Sequence, residues 1–249
     1  MIPWVLLHGF LGSGESWRRV LASPELRGIE AFCPDLPGHR AAPPPRGFTQ
    51  AVEELAGEIR RRFDQPVGIA GYSLGGRLAL GLLTAFPALF AAGLLIGASP
   101  GLGPEERAAR AASDAAAARR LRQEGLPAFL AQWRRQPLFA GQARLPAPLL
   151  AEQQEINLRH DEGKLAAALE LLSPGLQPDY GPLLPAISTP VALLAGGEDP
   201  KFIALAEQML RNLPDARLER VPGAGHNLLL EAPEAVAAAL GRLAERGRK

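Results

Sequence analysis

Four short apolar runs separated by longer amphipathic segments fill the first hundred residues, and this alternation leaves the chain few possible folds. The runs cover residues 4–8, 29–33, 67–71 and 92–96; helical spacing marks 15–22, 49–63 and 74–86. A strand with one wet face alternates apolar and polar side chains, whereas these runs are apolar throughout, as strands covered on both faces are. Helices between such strands predict class α/β, with a mostly parallel sheet and helices on both faces. The rhythm resumes with strands at 191–195 and 217–221 and helices at 202–213 and 233–246. About six strands are expected in all.

Residues 101–182 break this rhythm. Segments 105–124, 126–136, 148–159 and 164–172 are all helical in spacing, and no strand lies among them. The expected organisation is a core of residues 1–100 and 183–249 carrying a helical cap at 101–182. Open α/β sheets bind ligands at the carboxyl ends of their strands, so an insertion at that end becomes a lid.

Composition excludes several function classes. With 27 basic against 26 acidic residues, no global field recruits nucleic acid or an anionic membrane. No run of about 18 apolar residues exists, so no membrane span is expected. The first eight residues lack a basic region and a small-residue cleavage site, and read as a strand rather than a leader. The lone Cys33 excludes a disulfide framework and fits a reducing compartment, and the cytoplasm is the expected location. No metal or organic cofactor is implied, because no His/carboxylate cluster has ligand spacing and no phosphate-binding glycine loop occurs. Arginine outnumbers lysine 24 to 3, which reads as compositional bias except at particular positions discussed below.

The strongest chemical signal is Gly71-Tyr72-Ser73-Leu74-Gly75-Gly76, which follows an apolar run and opens a helix. This is the strand–turn–helix setting of a nucleophile elbow. The turn strains Ser73, and side chains at Gly71 or Gly75 would strike neighbouring backbone. The Leu74 amide then stands at a helix N-terminus, aimed where an oxyanion would form. A second donor is offered by Phe10, after the first strand, where Gly9 permits close backbone approach. The plainer reading is a glycine-rich turn with an incidental serine.

A working serine needs a histidine, and the chain has four. His8 and His39 read as loop-bonding side chains, and His160 has no strand end nearby. His226, in Gly223-Ala224-Gly225-His226, follows the strand ending at Val221. The acid should end the preceding strand, where Asp199 fits and Glu198 is its rival. The order Ser73, Asp199, His226 has the required logic: the acid fixes the imidazole, and the imidazole takes the serine proton. Arg18 and Arg19 read as a solvated face.

These segments together resemble the α/β-hydrolases over essentially the whole chain. Several features are similar to one branch, the 2-succinyl-6-hydroxy-2,4-cyclohexadiene-1-carboxylate synthases. They are His8-Gly9-Phe10-Leu11-Gly12-Ser13, Gly75-Gly76-Arg77, Ser99-Pro100-Gly101-Leu102, Trp133-Arg134-Arg135-Gln136-Pro137-Leu138-Phe139 and Asp199-Pro200-Lys201-Phe202. The resemblance implies a lyase that uses a hydrolase triad, acting on a small anionic substrate with three carboxylates. Ser73 and His226 would abstract a proton beside a ketone, and elimination would release pyruvate. Arg77 is the best-placed carboxylate anchor, since guanidinium binds carboxylate bidentately and stays charged. Arg110 and Arg159 resemble further carboxylate-binding arginines, with Trp133 as a wall and Tyr72 as a polar neighbour. Plainer readings are a salt bridge for Arg77, compositional decoys for Arg110 and Arg159, and cap core for Trp133.

The chain departs from the family at Arg40, where a glycine is usual, so the loop after His39 is expected to turn differently. The rival enzymatic reading is a serine carboxylesterase or carbon–carbon bond hydrolase. A non-catalytic receptor of the same fold is the remote one, and a broken triad would be its mark. The oligomeric state is left open by the sequence.

Overall fold

The computed structural model describes residues 2–246. Six strands form one sheet in the order β2-β1-β3-β4-β5-β6, and every pairing is parallel. The strands are β1 (Trp4–Leu7), β2 (Ala31–Phe32), β3 (Val67–Tyr72), β4 (Phe90–Ile96), β5 (Val191–Gly196) and β6 (Ala216–Val221). Their side chains alternate between two apolar layers. Val5, Leu7, Val67, Ile69, Leu95 and Leu193 pack with helices α2 (Phe48–Arg62), α3 (Leu74–Ala85) and α8 (Pro200–Leu210). Trp4, Leu6, Ala70, Leu94 and Leu194 face α1 (Arg18–Leu21), α9 (Leu228–Glu231) and α10 (Pro233–Arg246). Burial on both faces is why the central strands read as unbroken apolar runs. Of the described helices, none is long and apolar enough to cross a membrane.

Several boundaries differ from the sequence reading. The second strand shrinks to two residues, because it is an edge that pairs only with β1. Segment 15–22 begins as a 3-10 turn, Gly14–Trp17, before the single turn of α1. Helix α8 starts at Pro200 rather than Phe202, with the Asp199 carboxylate capping its first turn through the Phe202 N–H. Proline at the first helical position loses no hydrogen bond that an N-terminus could make. Met1 and residues 247–249, included in the expected core, lie outside the described residues.

The chain leaves the sheet after β4 and re-enters at β5, strands that are direct neighbours. Between them lie α4 (Pro104–Glu124), α5 (Leu126–Trp133), α6 (Ala147–Leu158) and α7 (Glu162–Leu171), with 3-10 turns at Pro137–Arg144 and Gly181–Ala186. Helix 126–136 stops at Trp133, three residues short, as the chain extends ahead of Pro137. Helices α4, α5 and α7 share their own apolar cluster, including Leu121, Leu126, Leu130, Leu165 and Leu169.

Three buried histidines pin the loops at the carboxyl end of the sheet. The Leu36 N–H donates to His8 Nε2 at 2.9 Å, and His8 Nδ1–H donates to the Gly9 carbonyl at 2.7 Å. The Leu11 N–H donates to His39 Nε2 at 3.3 Å, leaving Nδ1–H for the Pro37 carbonyl at 3.2 Å. His160, in the turn between α6 and α7, accepts from the Arg40 N–H at 3.1 Å and donates to the Leu11 carbonyl at 3.0 Å. Each ring thus uses one nitrogen as acceptor and the other as donor, which only neutral imidazole can do. Arg40 itself adopts φ +50°, the left-handed conformation that glycine takes without strain. Its N–H bond to His160 and a 2.8 Å ion pair with Glu15 hold it there.

Burial pushes the His8 imidazole down to about 4, and His39 and His160 below their usual range for the same reason. Once unfolded, each titrates near 6.5, so the unfolded chain takes up protons first as pH falls. Stability is complete above about pH 6.5 and is lost progressively towards about 4. Urea midpoints measured across that window should fall with acid. The slope should be shallower in His160→Gln; an unchanged slope removes His160 from this linkage.

Candidate active site

Strand β3 ends at Tyr72 and α3 begins at Leu74, so Ser73 alone makes the turn, at φ +52° and ψ −108°. Non-glycine residues adopt such angles only where surrounding structure over-determines them. Here the constraint is backbone contact. A Cβ on Gly71 would lie 2.3 Å from the Gly75 carbonyl oxygen, and one on Gly75 would lie 2.2 Å from that of Leu7. Both glycines are needed for close approach.

Ser73 Oγ lies 3.1 Å from His226 Nε2, and His226 Nδ1 lies 2.7 Å from Asp199 Oδ2. Asp199 and His226 are buried. Glu198, the rival acid, instead reaches outward to Arg144 at 2.5 Å. The imidazole is walled by the Phe202 ring at 4.3 Å, Tyr72 at 5.4 Å and, from the cap, Phe139 at 6.3 Å. Gly97, at φ +53°, leaves room for it: a Cβ there would stand 2.8 Å from His226 Cε1. The Glu231 carboxylate accepts from the Gly225 N–H at 2.8 Å and the Asn227 N–H at 3.1 Å, holding the chain on either side of His226.

Gly9 abuts the elbow, since a Cβ there would lie 3.5 Å from Ser73 Cβ. The amides of Phe10 and Leu74 have no acceptor among the described residues.

Ser73, His226, Asp199, Phe10 and Leu74 all line a cavity of about 540 Å³ between sheet and cap. Arg77 lines it, donating to the Gln177 side-chain carbonyl at 3.3 Å and the Leu172 backbone carbonyl at 2.9 Å. Among the described residues no carboxylate pairs with it, so the salt-bridge reading fails. Burial and then Arg110 push its guanidinium down to about 9, which still leaves it charged at neutral pH. Arg110 also lines the cavity, with Nε donating to Asp114 at 2.8 Å. Trp133 does so too, while packing on Phe10 at 5.0 Å and Phe129 at 5.4 Å. Burial raises the Tyr72 hydroxyl well above its ordinary range, so it stays neutral.

One predicted site residue lies apart from this arrangement. Arg159 is not among the cavity-lining residues; it points to the exterior, 3.7 Å from Glu15, because the turn after α6 directs the next residue, His160, inward instead. Arg18 and Arg19 lie on an exposed face, as expected, and both pair there with Glu152 of the cap. Phe139, Phe202, Asp114 and Glu231 were not singled out as site residues; only the His-to-Glu spacing after Gly225 and the 137–139 and 199–202 motifs could have signalled three of them.

Ser73→Ala or His226→Ala should lower turnover by about a thousandfold or more with the circular dichroism spectrum unchanged. Near-normal activity in either variant removes the triad assignment.

The sequence profile of the Alpha/beta hydrolase family matches residues 4–239. A protein from Pectobacterium atrosepticum named 2-succinyl-6-hydroxy-2,4-cyclohexadiene-1-carboxylate synthase is 37% identical, over 94% of this chain and 91% of its own. A putative enzyme of the same name from Bacillus subtilis is 34% identical over 92% and 85%. Among solved structures, MenH from S. aureus superposes with a TM-score of 0.94 at 25% identity, covering 100% of this chain and 95% of that one. A thermophilic esterase from Thermogutta terrifontis gives 0.86 at 23% identity, over 100% and 91%, a likeness of fold. With a family match across nearly all of its length and identities of 34–37% to these relatives, the chain belongs to the alpha/beta hydrolase family, among the 2-succinyl-6-hydroxy-2,4-cyclohexadiene-1-carboxylate synthases.

Proposed function

We infer that the chain catalyses the reaction its relatives are named for, as a carbon–oxygen lyase of menaquinone biosynthesis. The substrate is 2-succinyl-5-enolpyruvyl-6-hydroxy-3-cyclohexene-1-carboxylate, and no cofactor takes part. The observation that carries the reading at the site is Arg77. Its charged guanidinium faces the cavity with only neutral oxygens for partners, which suits a substrate carboxylate and serves no purpose for a neutral ester. Arg110, its Nε held by Asp114, presents its remaining nitrogens as a second cation.

In this mechanism His226 draws the Ser73 proton, and Ser73 Oγ takes a proton from the carbon beside the substrate ketone. Charge developing on the ketone oxygen is held by the Phe10 and Leu74 amides. The electron pair moves through the ring to give its second double bond, and the carbon–oxygen bond to the enolpyruvyl group breaks. The departing enolate takes the proton held on His226, which returns to neutral imidazole, and becomes pyruvate, while Ser73 keeps the proton drawn from the ring. No acyl-enzyme forms. The lone Cys33 and the small-molecule chemistry accord with a cytoplasmic location.

Freshly generated enolpyruvyl substrate should release pyruvate stoichiometrically in a lactate dehydrogenase-coupled assay. Rapid burst hydrolysis of p-nitrophenyl acetate without pyruvate release would instead establish the esterase reading. Arg77→Ala should lower kcat/KM for the tricarboxylate by about 10- to 150-fold, the value of one charge-assisted contact, while sparing the acetate ester. Equal losses on both substrates would make Arg77 structural.

A further inference from the structure

Leu11 follows Phe10 directly and is held in three ways. Its backbone takes φ +66°, outside the range a leucine ordinarily adopts. Its N–H is fixed by His39 and its carbonyl by His160, the second a cap residue 149 positions away. Its side chain is buried in the apolar cluster of the cap, and every other buried member of that cluster comes from α4, α5 or α7. Phe10 packs against the same cluster and touches Trp133 and His39 through ring contacts at 5.0 and 5.6 Å. The loop that carries the Phe10 amide is thus held by the cap as well as by the sheet-side core, against which Phe10 also packs.

We propose that the cap is a positioning element for the oxyanion hole: seating Leu11 in the cap core, with its backbone clamped by His39 and His160, sets the Phe10 amide beside Ser73. His39 and His160 are positioning residues that do not line the cavity; Leu11 borders it and acts through its seat in the cap. A cap that only bound substrate would matter for large anionic ligands and not for the intrinsic reactivity of Ser73. A cap that sets the Phe10 amide matters for every reaction at Ser73, however small the reagent. The inference rests on reading Phe10 as an oxyanion donor and not on the identity of the substrate.

A small fluorophosphonate separates the two cases. Ser73 Oγ bonds to phosphorus, fluoride leaves, the serine proton passes to His226, and the phosphonyl oxygen needs the hole. His160→Ala should lower the second-order inactivation rate constant by about tenfold or more, since small misplacements at a reacting centre are costly. The dissociation constant of the cyclohexadiene product, read by calorimetry, should change less than about threefold. His160→Gln, which keeps a donor for the Leu11 carbonyl, should recover most of the rate. Should His160→Ala not fold, Leu121→Ala loosens the same cap cluster without altering the loop, and should slow inactivation severalfold. Wild-type inactivation rates in folded His160→Ala or Leu121→Ala would overturn the proposal, as would weakened product binding with inactivation intact. Wild-type protein that is inactivated rapidly but releases no pyruvate would refute the lyase reading and leave this test valid.

Discussion

The site depends on one backbone contact, the seating of Gly75 beneath the end of β1. A Cβ on Gly75 would lie 2.2 Å from the Leu7 carbonyl oxygen and 2.5 Å from that of His8. Because nothing larger than hydrogen fits, β1, β3 and the first turn of α3 meet as backbone. That meeting gives Ser73 its left-handed angles, points the N-terminus of α3 at the reacting centre, and brings Gly9 and Phe10 alongside. Strain at one such residue costs about 1–3 kcal/mol, and a sheet buried on both faces is stiff enough to hold it.

Around this contact the buried polar groups are matched almost one to one. Asp199 serves His226, His226 serves Ser73, and Glu231 fixes the two amides that flank the imidazole. The histidines at the loop ends stay neutral so that each can accept and donate. Arg77 is the exception. A cation hydrogen-bonded only to neutral carbonyl oxygens keeps part of its desolvation cost.

Legibility in the sequence followed the range of the forces involved. The central strands and their helices were readable because burial on both faces leaves unbroken apolar runs, and the positions of Ser73, Asp199 and His226 follow from strand ends. The edge strand β2 was overestimated because Ile29 and Cys33 are as apolar as residues within the sheet. The cap was harder. Its long α4 is rich in alanine and arginine and carries no clear apolar stripe, so neither the Asp114–Arg110 pair nor the inward turn of His160 could be read from spacing. Arg159 and His160 are adjacent, and only tertiary packing decides which one faces in. Glycine's usual place at position 40 is filled by an arginine whose conformation is imposed by His160 and Glu15, partners distant in sequence.

The ion pairs joining cap to core differ in kind from its apolar contacts. Arg18 and Arg19 reach Glu152, and Arg144 reaches Glu198, all at the rim and largely open to solvent. Pairs of this kind are screened within about 10 Å at 0.1 M salt, whereas the leucine cluster around Leu11 is indifferent to ions. The cap is therefore joined to the core by a dry apolar seat and by a wet rim. Raising ionic strength weakens the rim pairs and leaves the apolar seat of Leu11 untouched.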